Sequence, residues 1–117
     1  MAYNRQPMEN EEKDDAVIQV RQNDNGEIEV LPVGHLAREN MEDLQARLDE
    51  ALSRARGVIV LNFESLKSLN STAIGKILKF KTTCDQKRIR LIVRHCNPDM
   101  LQLLKMIKFD SLVQMEN

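Results

Sequence analysis

Apolar and polar residues alternate from Ala16 to Gln22 (AVIQVRQ) and again from Glu27 to Val33 (EIEVLPV). A period of two suits strands with one solvated face. Between the two runs, Asn25-Gly26 supplies the positive φ angles of a tight turn, so the strands are predicted to pair as a hairpin. Pro32 has no N–H for a ladder and belongs near a strand end or on an edge. Gly34 to Arg38 reads as a connection. The period then changes. Met41, Leu44, Leu48, Leu52 and Ala55 follow at steps of three and four, one apolar stripe on a helix ending near Arg56-Gly57. Asn40 stands at the cap position, and Glu42 and Asp43 lie in the first turn, where acids complement the helix dipole.

Val58-Ile59-Val60-Leu61 is a continuous apolar run and predicts a strand buried on both faces. Residues 63–70 (FESLKSLN) read as a polar connection that carries Phe63, Leu66 and Leu69. A second helix is predicted from Ser71 or Thr72 to Cys84, with Ala73, Ile77, Phe80 and Cys84 on one stripe. Arg90 to Arg94 (RLIVR) is another buried strand. Asn97-Pro98-Asp99 opens a third helix with a cap, a proline at the first helical position and an acid. That helix is apolar nearly all round, through Met100, Leu101, Leu103, Leu104, Met106 and Ile107. Leu112 to Met115 is a last short strand. The order β-β-α-β-α-β-α-β predicts an α/β domain whose N-terminal hairpin leads into a mostly parallel central sheet with helices. Residues 1–15 lack periodicity and are expected to form a disordered acidic tail, leaving 16–117 as a single domain.

Composition narrows the function classes. Of 117 residues, 42% are apolar but only 3% aromatic, so the core is aliphatic and an RNA-binding sheet built on stacked aromatics is excluded. The net charge of −1 argues against bulk electrostatic binding of nucleic acid. The charge is uneven, because residues 76–108 hold nine basic and two acidic side chains. Lys76, Lys79, Lys81, Lys87, Arg88 and Arg90 there would attract an acidic lipid or a nucleic acid; the plain alternative is the solvated side of two helices and a strand. No apolar run has the length of a membrane span, and MAYNRQPMENEEKDD lacks the apolar region of a signal peptide. Cys84 and Cys96 are too few for a disulfide framework, which leaves two reduced thiols in a cytoplasmic protein.

Catalytic signatures are missing. No G-x-G-x-x-G follows a strand, and Gly75-Lys76 is followed by Ile77 without the upstream glycine of a P-loop. His35, Cys84, His95 and Cys96 match no zinc spacing, and no third group orients a Cys–His pair. No cofactor, metal or enzymatic activity is expected. Oligomerisation is left open.

Asn70-Ser71-Thr72 opens a helix with three small polar residues. The plain reading is a cap for orphan N–H groups. The same place also suits a phosphate, which the helix N-terminus stabilises. Here the sequence resembles the STAS domain, shared by bacterial anti-sigma factor antagonists and the cytosolic ends of sulfate transporters. The family's Asp-Ser-Ser-Gly-Leu-Gly before a helix corresponds to Asn70-Ser71-Thr72-Ala73-Ile74-Gly75, and Gly34-His35-Leu36 resembles its Gly-x-Leu-Asp segment. The likeness covers residues 16–117. Asn70, Ala73 and Ala37 depart from the family's Asp, Gly and Asp.

The resemblance implies a STAS-like fold and a regulatory protein rather than an enzyme. It implies Ser71 as the phosphate acceptor, with Thr72 as runner-up, and a partner-binding segment of Asn70, Ser71, Thr72, Ala73, Gly75 and Lys76. The implied partners are an anti-sigma factor that is also a serine kinase, and a serine phosphatase. The implied alternative is a non-phosphorylated interaction module, a scaffold in a stress-signalling complex or a subunit of a transport system.

Overall fold

The computed structural model describes residues 17–116. The tail expected over 1–15 lies outside the described residues. Strand β1 (Val17–Gln22) pairs antiparallel with β2 (Ile28–Leu36), with Val17 opposite Val33 and Gln22 opposite Ile28. Gly26 takes φ +80°, the left-handed backbone that the turn demands. The Asn23 side-chain oxygen accepts the N–H groups of Asn25 and Glu27, both at 3.0 Å, and fixes the same turn from the other side.

Helix α1 (Met41–Arg54) buries Met41, Leu44, Leu48 and Ala51. Its start differs from the expectation. A single 3-10 turn (Arg38–Asn40) precedes it, and the Asn40 oxygen accepts the Ala37 N–H at 2.9 Å instead of capping the helix. Strand β3 (Val58–Asn62) lies parallel to β2. Strand β4 (Leu66–Leu69), helix α2 (Ser71–Gln86), strand β5 (Arg90–Arg94), helix α3 (Pro98–Met106) and strand β6 (Gln114–Glu116) complete the chain. The sheet runs β1-β2-β3-β5-β6, parallel throughout except for the hairpin.

The observed architecture is the expected α/β fold with one strand more. β4 falls inside the segment read as a polar connection, and β2 continues through Gly34 and His35, which were also read as a connection. Both differences lie in one pairing. Beyond its β3 pairs at residues 28–30, β2 has β4 as a second parallel neighbour, with Gly34 at φ +95° beside a register shift that leaves Lys67 as the extra residue on β4. The pairs there are Gly34 with Leu66, His35 with Ser68 and Leu36 with Leu69.

One continuous core joins α1 and α2 (Leu44, Leu48, Ala73, Ile77) to alternate sheet residues such as Ile59, Leu61 and Val93. Leu104 of α3 and Phe109 belong to it too. Burying each such side chain contributes roughly 1.5–3 kcal/mol, so the helices are held mainly by these stripes. The opposite parity, Val60 and Ile92, is also buried. In register it is bracketed by Glu29 on one side and Gln114 on the other. The apolar residues of α3 divide between two sides: Met100 and Leu104 are buried, whereas Leu103, Met106 and Ile107 are exposed.

Candidate docking site

β4 leads straight into α2, and this junction places the hydroxyl segment. The Asn70 N–H donates to the Leu36 carbonyl at 3.2 Å, tying the end of β4 to the end of β2. Asn70 is extended (φ −91°, ψ 173°), and its side-chain oxygen accepts the Ala73 N–H at 2.7 Å. Its carbonyl accepts the Ile74 N–H at 3.1 Å and closes the first turn. This is N-cap geometry, satisfying two of the four orphan donors. The N–H groups of Ser71 and Thr72, the first two helical residues, have no protein acceptor among the described residues.

Ser71 and Thr72 are exposed. No acidic side chain lies in the first turn of α2, unlike α1 with Glu42 and Asp43 and α3 with Asp99. The positive end of its dipole is therefore uncompensated, and an added anion there is favoured by about 0.3–1 kcal/mol. Gly75 is also exposed, and a Cβ built on it meets nothing within 4 Å. Lys76 is half-buried and reaches back to α1, where its Nζ donates to Gln45 Oε1 at 3.4 Å.

Five of the six predicted partner-binding residues thus share the opening of α2 with at least part of their surface free. Ala73 does not join them. It is fully buried in the core, so its methyl supports the helix from within and offers a partner no area. Sequence reasoning also passed over residues that build this face. His35 Nδ1 and Ser68 Oγ lie 2.7 Å apart across β2 and β4, three residues from Ser71. Beside them an open groove of about 620 Å³ runs between β4 and the start of α3, with Lys67, Leu69, Met100 and Leu103 in its walls. Leu66 and Leu69 stand three apart and so lack the period of two that marks a strand, which left β4 without a signal in the sequence.

Elsewhere the structure holds little reactive chemistry. Among the described residues no three His, Cys, Asp or Glu side chains gather as a metal site. Burial pushes the Cys84 thiol up to about 11 and the Cys96 thiol upward as well, so neither is an activated nucleophile. No helix among the described residues is long and apolar enough to cross a membrane.

The family model described as Mlab, STAS domain matches residues 19–114. The chain belongs to the STAS domain family. Solved STAS-like folds agree with the topology above. The anti-sigma factor antagonist SpoIIAA in its unphosphorylated form superposes with a TM-score of 0.70 at 18% identity, over 86% of this chain and 89% of that one. The phosphorylated form of the Bacillus cell fate determinant SpoIIAA gives a TM-score of 0.66 at 19% identity, over 86% and 92%. An anti-sigma factor antagonist from Mycobacterium paratuberculosis gives 0.71 at 15% identity, over 88% and 86%. No curated protein matches the sequence. At these identities the likeness establishes the STAS fold, with its mixed six-stranded sheet and three helices.

Proposed function

We propose that this chain is an anti-sigma-factor-antagonist-like regulator of the cytoplasm with no catalytic activity of its own. It docks an anti-sigma factor that is also a serine kinase through the face around Asn70, Ser71, Thr72, Gly75 and Lys76. The kinase phosphorylates Ser71 and so ends the contact, and a serine phosphatase restores it. The observation that carries this reading is the exposed Ser71 hydroxyl at the first position of α2, in a turn without carboxylates.

A phosphate on Ser71 adds roughly −1.5 to −2 charges. The helix end accommodates that charge, so the domain stays folded. A docked partner has to strip water from it, and the contact fails. The test is incubation with ATP and a purified serine kinase of the anti-sigma factor type. Incorporation is expected in the unaltered protein and in Thr72→Ala, and is expected to vanish in Ser71→Ala. The reverse pattern moves the acceptor to Thr72, and incorporation that survives both substitutions ends the reading.

A second reading is a constitutive interaction module, a scaffold or a transport-system subunit, with the switch lost. Two observations favour it: the family model that matches is the Mlab type, and Asn70 provides a cap oxygen without the charge of the family's Asp. The two readings separate on Ser71→Asp. The switched regulator loses about tenfold or more in partner affinity, roughly 1.4 kcal/mol, whereas the constitutive module loses none.

A further inference from the structure

The far end of the sixteen-residue α2, about 22 Å from Ser71, carries a second feature that the docking face does not use. β6 pairs with β5 only from Ile92 onward, so Arg90 and Leu91 border an open groove of about 520 Å³ instead of a strand. Its floor is apolar: Ile89, Leu91 and Val113 are buried, and Leu112 is left 56% exposed at the edge. Its rim is basic. Arg88 and Arg90 are exposed there, Lys81 lies alongside paired with Asp85, and Asp110 is the other carboxylate on the groove.

Two cations occupy backbone positions that glycine fills at least cost. Arg88 follows the C-cap of α2 at φ 60°, with its N–H on Asp85 O at 3.1 Å and the Ile89 N–H on Cys84 O at 2.9 Å. This helix-ending motif normally takes glycine. Lys108 repeats the left-handed conformation at φ 63° after α3, and its carbonyl accepts the Ser111 hydroxyl at 2.7 Å, at the groove's opposite wall. Compensation of the helix dipoles accounts for positive charge at these ends. It does not account for an apolar trough between the charges.

We propose that this groove binds an acidic segment of a partner protein, an extended chain whose carboxylates meet Arg88 and Arg90 while an apolar side chain covers the exposed Leu112. Charge complementarity selects the acidic partner. The concavity selects an extended chain over a bilayer, because a flat surface does not enter the groove between Arg88, Arg90 and Leu112. A small inorganic anion leaves the exposed Leu112 uncovered.

The probe is a short fluorescein-labelled peptide alternating Glu and Leu, titrated with the full chain and followed by anisotropy. Saturable binding is expected, weakening several-fold between about 50 and about 300 mM salt. The double variant Arg88→Gly with Arg90→Gln is expected to weaken it about tenfold. Because glycine suits the left-handed position at 88, the melting temperature of Arg88→Gly does not fall, so the loss is not one of folding. Ser71→Asp leaves the binding unchanged, which separates this groove from the docking face. The proposal is overturned by equal binding of a Lys/Leu peptide, by an unaffected double variant, or by loss in Ser71→Asp. It is also overturned if anionic phosphatidylglycerol vesicles bind through Arg88 and Arg90 while the peptide does not.

Discussion

Gly75 sits in the middle of a helix, where glycine costs about 1 kcal/mol relative to alanine. Nothing in the fold requires it, because its surroundings are open and its φ is not in the left-handed region. Under the proposed function, the missing side chain lets a partner's backbone come close to α2. Gly75→Ala is expected to raise stability by about 0.5–1 kcal/mol in urea unfolding while weakening partner capture. A stabilised variant that docks normally would remove Gly75 from the docking face. Ala73, two residues earlier on the buried side, shows the opposite case: it is fully buried, and enlarging it strains the core rather than the contact.

At the scale of elements, the opening of α2 depends on one oxygen. Asn70→Ala removes the acceptor of the Ala73 N–H and is expected to cost about 1 kcal/mol. Asn70→Asp keeps the oxygen and adds charge at a favourable dipole end, so it is expected to match or slightly exceed the unaltered protein. Thermal melts of the two variants separate capping from charge.

Elements whose pattern is local were legible in the sequence. Arg90–Arg94 was bounded to the residue, and Asn97-Pro98 was read as the cap and first position of α3, where the Asn97 oxygen accepts the Met100 N–H at 2.8 Å. Elements that exist only through distant pairing were not. β4 is four residues with two exposed polar ones, and it is a strand through its pairing with Gly34, His35 and Leu36 of β2. Asn40 has the composition of a cap, but a 3-10 turn redirects its oxygen to Ala37. Within the site, Ser71 and Thr72 were legible from residue type at a helix start. The His35–Ser68 pair and the groove beyond it were not, since both depend on that same distant pairing.

Across the whole molecule, Arg94 ties the hairpin to the other side of the sheet. Its guanidinium donates to Glu27 at 3.0 Å and to Glu116 at 2.9 Å, joining residues that lie 67 positions apart in the first case. The Asn23 amide and then Arg94 hold the Glu27 carboxyl below its usual range. The sign of the pH effect follows. A depressed carboxyl contributes stability that is present above its unfolded value, near 4.5, and is lost as pH falls through its lower folded value. Glu27→Gln is therefore expected to be less stable at neutral pH and to show a shallower decline in melting temperature below about pH 4.5. Equal acid sensitivity in both proteins would place the linkage elsewhere.

The bond from Asn70 to Leu36 carries a last consequence, for kinetics. A loop that must freeze before it is recognised slows encounter and forfeits affinity to ordering. Here the hydroxyl segment is bolted to the longest strand of the sheet before any visitor arrives. Encounters with it are expected to proceed at rates ordinary for rigid bodies, and a phosphate placed on it should shorten the lifetime of the complex rather than delay its formation.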